Sequence, residues 1–456
     1  MKNVDIFSEN FRPHFVGVGG ISMSGLAKYF LVRGIKVSGS DRENSFETEK
    51  LKKLGAKINV PHDGKNIAES NAVIYTSAIK KDNPELKEAE RQKIPLIKRS
   101  EILGGILKSF SKSVCVAGSH GKTTATAMIA ETLIKVGKSP TVFLGGESRE
   151  FGNFRSGKDG VAVAEACEYK KNFLDISPDI AVVLNIDDDH PDTYPTVKEE
   201  TAAFSQFVKN ALAVVNADDR NAASVAGLSS VTFGISRPAV YRAKRIVRKD
   251  NGYAFTLYVY GVKKERINLS VFGRHNVYNA LAAIAVCDLL KVPMKDIKSG
   301  IESFCGVKRR NEFLGTYKNA RLYADYAHHP TEISATIAEF CERNIRTLCV
   351  FQPHTYSRTK KLLPAFISAL SKADGVIVYK TYPARENFDT AGDAETLYDK
   401  LKAAYNKDCF YADNPETLKK LIDLAVKNYD AVAFIGAGDV YFVAKNNFLK
   451  KNEKNF

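Results

Sequence analysis

The stretch KSVCVAGSHGKTTATAMIAETLIKV, residues 112–136, decides how the rest of the chain is read. It opens as an apolar strand, passes through a glycine-containing turn, and continues from about Thr123 to Val136 as a helix. Strand, glycine turn and helix in that order form the context of a phosphate-binding loop. Backbone N–H groups in such a turn, together with the positive end of the helix dipole, bind phosphate oxygens. Gly118, Ser119, His120, Gly121, Lys122, Thr123 and Thr124 are therefore the candidate ATP cradle. Lys122 would offer a point charge to the β- and γ-phosphates, and the Thr123 hydroxyl would reach Mg²⁺. The full GxxxxGK[ST] pattern is not met, because Val116 stands where its first glycine belongs. The loop is a shorter variant. Reading it as a merely solvated turn leaves the Lys-Thr-Thr run at the helix start unexplained.

Downstream, GVAVAEAC and DIAVVLNI read as buried strands. Glu165 and Glu168 lie at or just past the end of the first, and Asp187, Asp188, Asp189 and His190 follow the second. Ligands of open α/β sheets sit outside the carboxyl ends of strands, and carboxylates with one imidazole suit an Mg²⁺ that also holds substrate phosphate. Between about Val231 and Val271 the period changes to two, with an Asn251-Gly252 hairpin signal, which predicts a small antiparallel sheet attached to the α/β core. HNVYNALAAIAVCDLL, from His275, is helical.

The first block of the chain, to about residue 108, also alternates strands and helices. Gly17, Gly19, Gly20, Ile21 and Ser22 follow a strand and open a helix; Ser22 replaces the third glycine of a dinucleotide fingerprint, so anion binding by backbone N–H groups is expected rather than NAD. Asp41 ends the next strand, where an acidic residue would meet a ribose hydroxyl. A third α/β block starts near Val307 and includes KKLLPAFISALSKA as a helix. In the first block, strands alternating with helices predict βαβ units and a parallel sheet, and the third again reads α/β. His120, His190, His275, His328, His329 and His354 lie beside glycine turns or strand ends, whereas His14 and His62 carry no signal.

Composition sets the outer bounds. A chain of 456 residues holds two to four domains. Its 44% hydrophobic and 26% charged content argues against disorder. No apolar run approaches the ~18–20 residues of a membrane span, and MKNVDIFSENFRPHF lacks the apolar core of a secretory signal, so a cytoplasmic protein without membrane insertion is expected. Seven cysteines without CxxC spacing predict buried thiols rather than disulfides or a Cys-rich zinc site. The net charge of +15 suits nucleotides and would also suit nucleic acid. Arg242, Lys244, Arg245, Arg248 and Lys249 are the stretch a nucleic-acid-binding protein would use, but their alternation with apolar residues around a hairpin reads as a solvated ribbon face. No nucleic-acid partner is expected.

The motifs HFVGVGGISMSGLA, AGSHGKTTATAM, EACEY, NIDDDHPDTY, FGRHNVYNALAA, GVKRR, DYAHHPTEI, FQPHTYSR and GAGD run nearly end to end. Together they resemble the Mur ligases, in the branch that adds the first amino acid to the peptidoglycan precursor. The resemblance implies an α/β protein of three domains: 1–108, Rossmann-like, for the UDP-sugar; 109–307, a P-loop ATPase domain; and 308–456, Rossmann-like, closing over ATP and bringing the amino acid. It implies an ATP- and Mg²⁺-dependent ligase joining L-alanine to the lactyl carboxylate of UDP-N-acetylmuramate, acting as a monomer or homodimer. Lys122 and Thr123 would hold ATP and magnesium, Glu165 and His190 magnesium, Asn276 and Asn279 the adenine, and Arg310 and Asp325 the ATP. The Gly17–Ser22 turn and Asp41 would hold the UDP-sugar. Tyr326, His328 and Arg358 would border the alanine site, with His190 or His328 as candidate base. Some members carry a carbamylated lysine where this chain has Ser205, and some an arginine where it has Thr355, so no carbamate is expected. Same-fold ligases that add a murein tripeptide or a later amino acid are the nearest alternative; folylpolyglutamate synthase is disfavoured by the α/β block preceding the P-loop.

Overall fold

The structure is a computed structural model that describes residues 4–187, 193–250, 252–384 and 386–449. Three α/β regions follow one another, each on its own sheet, as the alternating pattern predicts. The first contains β1 (Pro13–Val16), α1 (Ile21–Leu31), β2 (Ser38–Ser40), α2 (Phe46–Lys53), β3 (Lys57–Asn59), β4 (Ala72–Tyr75), α3 (Pro84–Arg91), β5 (Leu96–Lys98) and α4 (Arg99–Leu107). Its parallel sheet has the order β3-β2-β1-β4-β5. The order reverses beside β1, which sets the Gly17 turn at the switch point where open sheets form a crevice. Local chemistry fixes the helix starts: Ser45 and Thr48 form a capping box for α2, and Asn83 caps α3 ahead of Pro84.

The second region holds β6 (Lys112–Ala117), α5 (Lys122–Lys135), β7 (Thr141–Ser148), β8 (Gly152–Arg155), β9 (Val161–Glu165), β10 (Ile180–Val183), β11 (Leu212–Asn216), β12 (Val231–Gly234), β13 (Tyr241–Lys249), β14 (Gly252–Val259) and β15 (Val262–Leu269). Its ten strands run β15-β14-β13-β12-β11-β10-β6-β9-β7-β8. The third region holds β16 (Glu312–Tyr317), β17 (Ala320–Asp325), β18 (Thr347–Phe351), β19 (Gly375–Tyr379), β20 (Asp408–Ala412) and β21 (Ala431–Ile435), in the order β16-β17-β21-β18-β19-β20. Strands β10, β18 and β21 are buried along their whole length, as expected of parallel strands covered on both faces.

Packing divides the chain differently from sheet count. The first two regions form one compact unit, Met1–Gly306, and the third another, Val307–Phe456. One apolar cluster explains the first unit: it runs from Phe15, Tyr29, Phe30 and Leu103 into Phe143, Phe173 and Phe204 without interruption.

Two local expectations change. The antiparallel strands after Val231 are no separate small sheet: β12 and β13 pair in parallel at Phe233–Tyr241 and Gly234–Arg242, so the ribbon extends the main sheet. Lys249 pairs with Gly252 across the predicted hairpin, whose Asn251 lies outside the described residues. The helix expected over residues 360–373 is two pieces, Tyr356–Lys361 and Leu363–Leu370, because Pro364 starts the second and has no N–H to continue the first.

Candidate functional site

The turn after β6 lies between the ends of β9 and β10, its sheet neighbours. It is braced from the β10 side. Asn185 accepts from the His120 N–H at 2.8 Å and donates its amide to the His120 carbonyl at 3.1 Å. Ser119 Oγ accepts from the Asp187 N–H at 2.8 Å. Gly121 caps α5 with φ +85°, and a Cβ there would stand 2.8 Å from Asn279 Oδ1. Only glycine takes that conformation freely. Asn279 donates to Asn276 Oδ1 at 2.8 Å, and Asn276 donates in turn to the Phe272 carbonyl. Both side chains are buried, and Asn279 stands directly beside the turn.

Behind the turn, the β9 end supplies two carboxylates. Lys122 Nζ donates to Glu168 Oε1 at 2.8 Å and to the carbonyls of Gly118 and Ser119 at 2.5 and 3.2 Å. Burial, the largest influence, would lower the pKa of this ammonium; the charge and hydrogen bond of Glu168, with Cys167 and Glu165 nearby, together outweigh it and raise the value, so Lys122 is cationic. Thr123 Oγ1 donates to Glu165 Oε2 at 3.0 Å, and the Gly145 N–H donates to Glu165 Oε1 at 2.6 Å. Thr123 and Glu165 thus set two hard oxygen donors side by side. That donor set fits Mg²⁺, which keeps several waters and takes one or two carboxylates plus substrate phosphates. Among the described residues, no group of three or more His, Cys, Asp and Glu gathers as a protein-only cage. Asp188, Asp189 and His190 lie outside the described residues.

The turn after β1 has the same backbone logic and different partners. Asp41, at the end of β2, accepts the Gly19 N–H at 2.8 Å. A Cβ on Gly19 would stand 2.9 Å from both Asp41 Oδ2 and Ser45 Oγ, so the close approach requires glycine. Gly20 N–H bonds to the Gly17 carbonyl at 3.3 Å. Of the N–H groups expected to bind an anion here, those of Gly19 and Gly20 are therefore used inside the turn. Ile21 and Ser22 head the first turn of α1, where N–H groups have no intrahelical partner.

Beside this turn stands a cluster that the reading of the sequence passed over. Glu85, in the first turn of α3 and fully buried, accepts from Ser40 Oγ at 2.6 Å and from Asn66 at 2.7 Å, with His62 Nδ1 at 3.1 Å and His14 Nε2 at 3.6 Å. Burial would raise its pKa, but the nearby His14 and the hydrogen bonds from His62, Ser40 and Asn66 hold it far below the ordinary range. His14 and His62, given no role from sequence, are its partners. The available signal was an acidic residue just after a capped Pro-opened helix start.

In the Val307–Phe456 unit, a second cluster forms at the strand ends. Asp325, ending β17, accepts the N–H groups of Asn311 and Ala327, each at 2.7 Å. Burial raises its pKa, against the nearby Arg310. His328 Nδ1 lies 3.0 Å from the Tyr326 carbonyl, a contact that puts the proton on Nδ1 and leaves Nε2 as acceptor. Burial lowers the His328 pKa, with Arg358 and Arg310 acting the same way against Glu332. The His328 and His354 rings are 5.8 Å apart, His354 stacks on Tyr382 at 5.7 Å, and Arg358 Nη1 stands 3.4 Å from His354 Nδ1. Burial, then the His328 and Arg358 charges, push His354 down to about 4. Thr355 adopts φ +67° and donates its N–H to the Tyr382 carbonyl at 2.9 Å. Arg309, missed from sequence, bridges the carbonyls of Gly436 and Gly438 at 3.1 and 3.0 Å and lies over the Tyr326 ring.

Three family profiles match consecutive parts of the chain: Mur ligase family, catalytic domain, over 12–111; Mur ligase middle domain over 116–287; and Mur ligase, glutamate ligase domain, over 309–438. The UDP-N-acetylmuramate–L-alanine ligase of Aquifex aeolicus is 42% identical over 439 residues, covering 94% of this chain and 95% of its own. The protein of the same name from Acetivibrio thermocellus is 41% identical over 466 residues, 99% of each chain. Among solved structures, the UDP-N-acetylmuramate-alanine ligase of Thermotoga maritima superposes with a TM-score of 0.83 at 32% identity, over 95% of this chain and 97% of its own. A murein peptide ligase from Psychrobacter arcticus shares the fold, with a TM-score of 0.70 at 21% identity over 98% of this chain and 99% of its own.

Proposed function

The chain belongs to the Mur ligase family, and on that premise we propose that it joins L-alanine to the lactyl carboxylate of UDP-N-acetylmuramate at the expense of ATP, in peptidoglycan precursor synthesis. The observation that carries the chemistry is the pair of contacts behind the β6 turn, Lys122 on Glu168 and Thr123 on Glu165. Residues 1–108 are read as the sugar-nucleotide region, 109–307 as the ATP region and 308–456 as the amino-acid region.

A carboxylate resists attack by an amine because oxide cannot leave. Transfer of the γ-phosphoryl group of ATP to that carboxylate gives an acyl phosphate with phosphate as leaving group. The alanine amine then adds, the tetrahedral intermediate collapses, and phosphate departs. Anionic oxygens must approach one another, so the protein's task is positioning and charge neutralisation. The β6 turn presents N–H groups to the β- and γ-phosphates, and Lys122 adds a fixed positive charge on the γ side. Magnesium, held by Thr123 and Glu165 and by His190, would supply further neutralisation of phosphate charge. The Gly17–Ser22 turn binds the diphosphate of the sugar nucleotide through the first turn of α1.

Arg358 binds the alanine carboxylate and Tyr326 borders the side chain. His328, neutral with Nε2 open as acceptor, takes the amine proton. Its lowered pKa keeps it deprotonated to a lower pH than a free imidazole, which suits a base at neutral pH.

The deciding experiment measures phosphate release with ATP and UDP-N-acetylmuramate, with and without L-alanine, against a panel of other amino acids and the murein tripeptide. Release that depends on L-alanine supports the reading; preference for the tripeptide transfers the chain to the recycling branch of the same family.

A further inference from the structure

The hairpin of β7 and β8 contacts both helices that the anion-binding turns of the first unit open. On one side, the β7 residue Gly145 donates its N–H to Glu165, the partner of Thr123. Ser148, ending β7, donates to Glu131 of α5 at 2.7 Å, the helix that starts at Lys122. On the other side the hairpin grips α1. Asn153 of β8 is buried and all its amide capacity is used on that helix: Nδ2 donates to the Ile21 carbonyl at 2.6 Å and to Ser24 Oγ at 2.8 Å, while Oδ1 accepts from Lys28 Nζ at 2.6 Å. Lys28 continues to Glu47 of α2 at 2.7 Å, Glu47 to Lys50 at 2.8 Å, and Lys50 back to Glu147 of β7 at 3.1 Å. Beside this polar loop, Tyr29 of α1 packs on Phe143 and Phe154 with centroids 5.6 and 6.2 Å apart.

Aromatic packing of this kind holds two elements together without fixing their register to a fraction of an ångström. Directional hydrogen bonds from one buried amide do fix it. Ile21 and Ser24 form the first turn of α1, immediately after Gly17–Gly20.

We propose that Asn153 is a positioning residue for phosphoryl transfer: from the strand hairpin that also contacts Glu165, it locks the first turn of α1, and so the Gly17–Gly20 turn, in register with Lys122 and Thr123. The proposal rests on the assignment of the Gly17–Gly20 turn to the sugar nucleotide. Binding of ATP does not involve the β1 turn, and binding of the sugar nucleotide does not involve the β6 turn. Transfer between them needs both at once, in line. Loosening the lock therefore lowers turnover and leaves each affinity nearly intact.

The test uses the full chain with Asn153→Leu, Asn153→Asp and Ser24→Ala. Steady-state kinetics separate kcat from KM for ATP and for UDP-N-acetylmuramate, and a single-turnover experiment without alanine follows ADP formation. Asn153→Leu is expected to lower kcat and the ADP-forming step together by about 10–100-fold, the scale of a misplacement near 1 Å, with both KM values within about twofold. Ser24→Ala removes one of the two acceptors and falls between this variant and wild type. A structural role alone would lower the melting temperature and leave kcat per folded molecule unchanged, and that result overturns the proposal. Should Asn153→Leu not fold, Asn153→Asp, which keeps the Lys28 contact and removes both donors, and Ser24→Ala decide; wild-type kcat in both overturns it. A wild-type protein that forms no ADP with UDP-N-acetylmuramate breaks the reading of the reaction instead.

Discussion

After β6, the glycine turn is backed by a buried ammonium and two carboxylates; after β1, a turn of similar outline is closed by a carboxylate alone. Both follow a buried parallel strand, both open a helix, and both contain a glycine that a Cβ would drive into a neighbour: Gly121 against Asn279, Gly19 against Asp41 and Ser45. Backbone shape makes each a place for an anion. What separates them arrives from adjacent strands. β9 brings Glu165 and Glu168 to the first turn, and β2 brings Asp41 to the second. On the proposed reading, the first arrangement would hold a cation-dependent triphosphate whose terminal group moves. At the second, Gly19 is met by the Asp41 carboxylate, and on the same reading that turn would hold a ligand that reacts elsewhere.

That contrast breaks most easily at Lys122. Lys122→Ala should reduce alanine-dependent phosphate release by about 10³-fold or more, since a transition-state charge contact in a water-poor site is lost. A rate near wild type would leave the two turns equivalent and refute the assignment. Next in size, Arg358→Ala should raise the KM for L-alanine by about 10–100-fold, the worth of a charged hydrogen bond, with the KM for ATP little changed. Equal shifts in both constants would move the amino-acid site elsewhere. At the other turn, Asp41→Asn keeps an acceptor for Gly19 and removes the charge. The KM for UDP-N-acetylmuramate should change by about tenfold or less, and a loss as deep as that of Lys122→Ala would erase the distinction between the turns.

The smallest effect concerns the seam between them. Burial raises the Glu131 carboxyl to about 7, against the hydrogen bond from Ser148. The folded state therefore keeps a proton that the unfolded chain releases near pH 4. Its stabilisation is complete below that pH and disappears as pH rises through about 7. Glu131→Gln should flatten the pH dependence of the melting temperature between pH 5 and 8; an unchanged slope would show that Glu131 does not titrate there.

The β6 turn was legible because its chemistry is contiguous: strand, Gly-Ser-His-Gly, Lys-Thr-Thr and helix sit in one short run, and Glu165 ends the strand that pairs beside it. The cluster proposed for the amino acid was partly legible, since Tyr326, His328 and Arg358 fall in compact motifs, while Arg309 was hidden in a run of basic residues that looks like surface. The histidines His14 and His62 gave no signal, because each lies in an unremarkable strand or loop and their shared carboxylate, Glu85, comes from a helix further along. The break at Pro364 was readable and outweighed by the apolar pattern on both sides of it.

The alternation of strands and helices, the parallel first sheet and the candidate phosphate-binding turn follow from sequence alone, because periodicity, glycine turns and helix starts act over a few neighbouring residues. The merging of the first two sheets into one unit, the continuation of the main sheet into the ribbon after Val231, and the grip of Asn153 on α1 were settled only in three dimensions. Asn153 meets partners 125–132 positions away along the chain, and a single buried amide leaves no periodic trace. Such contacts come into being only when apolar surfaces from both sheets have already closed on each other.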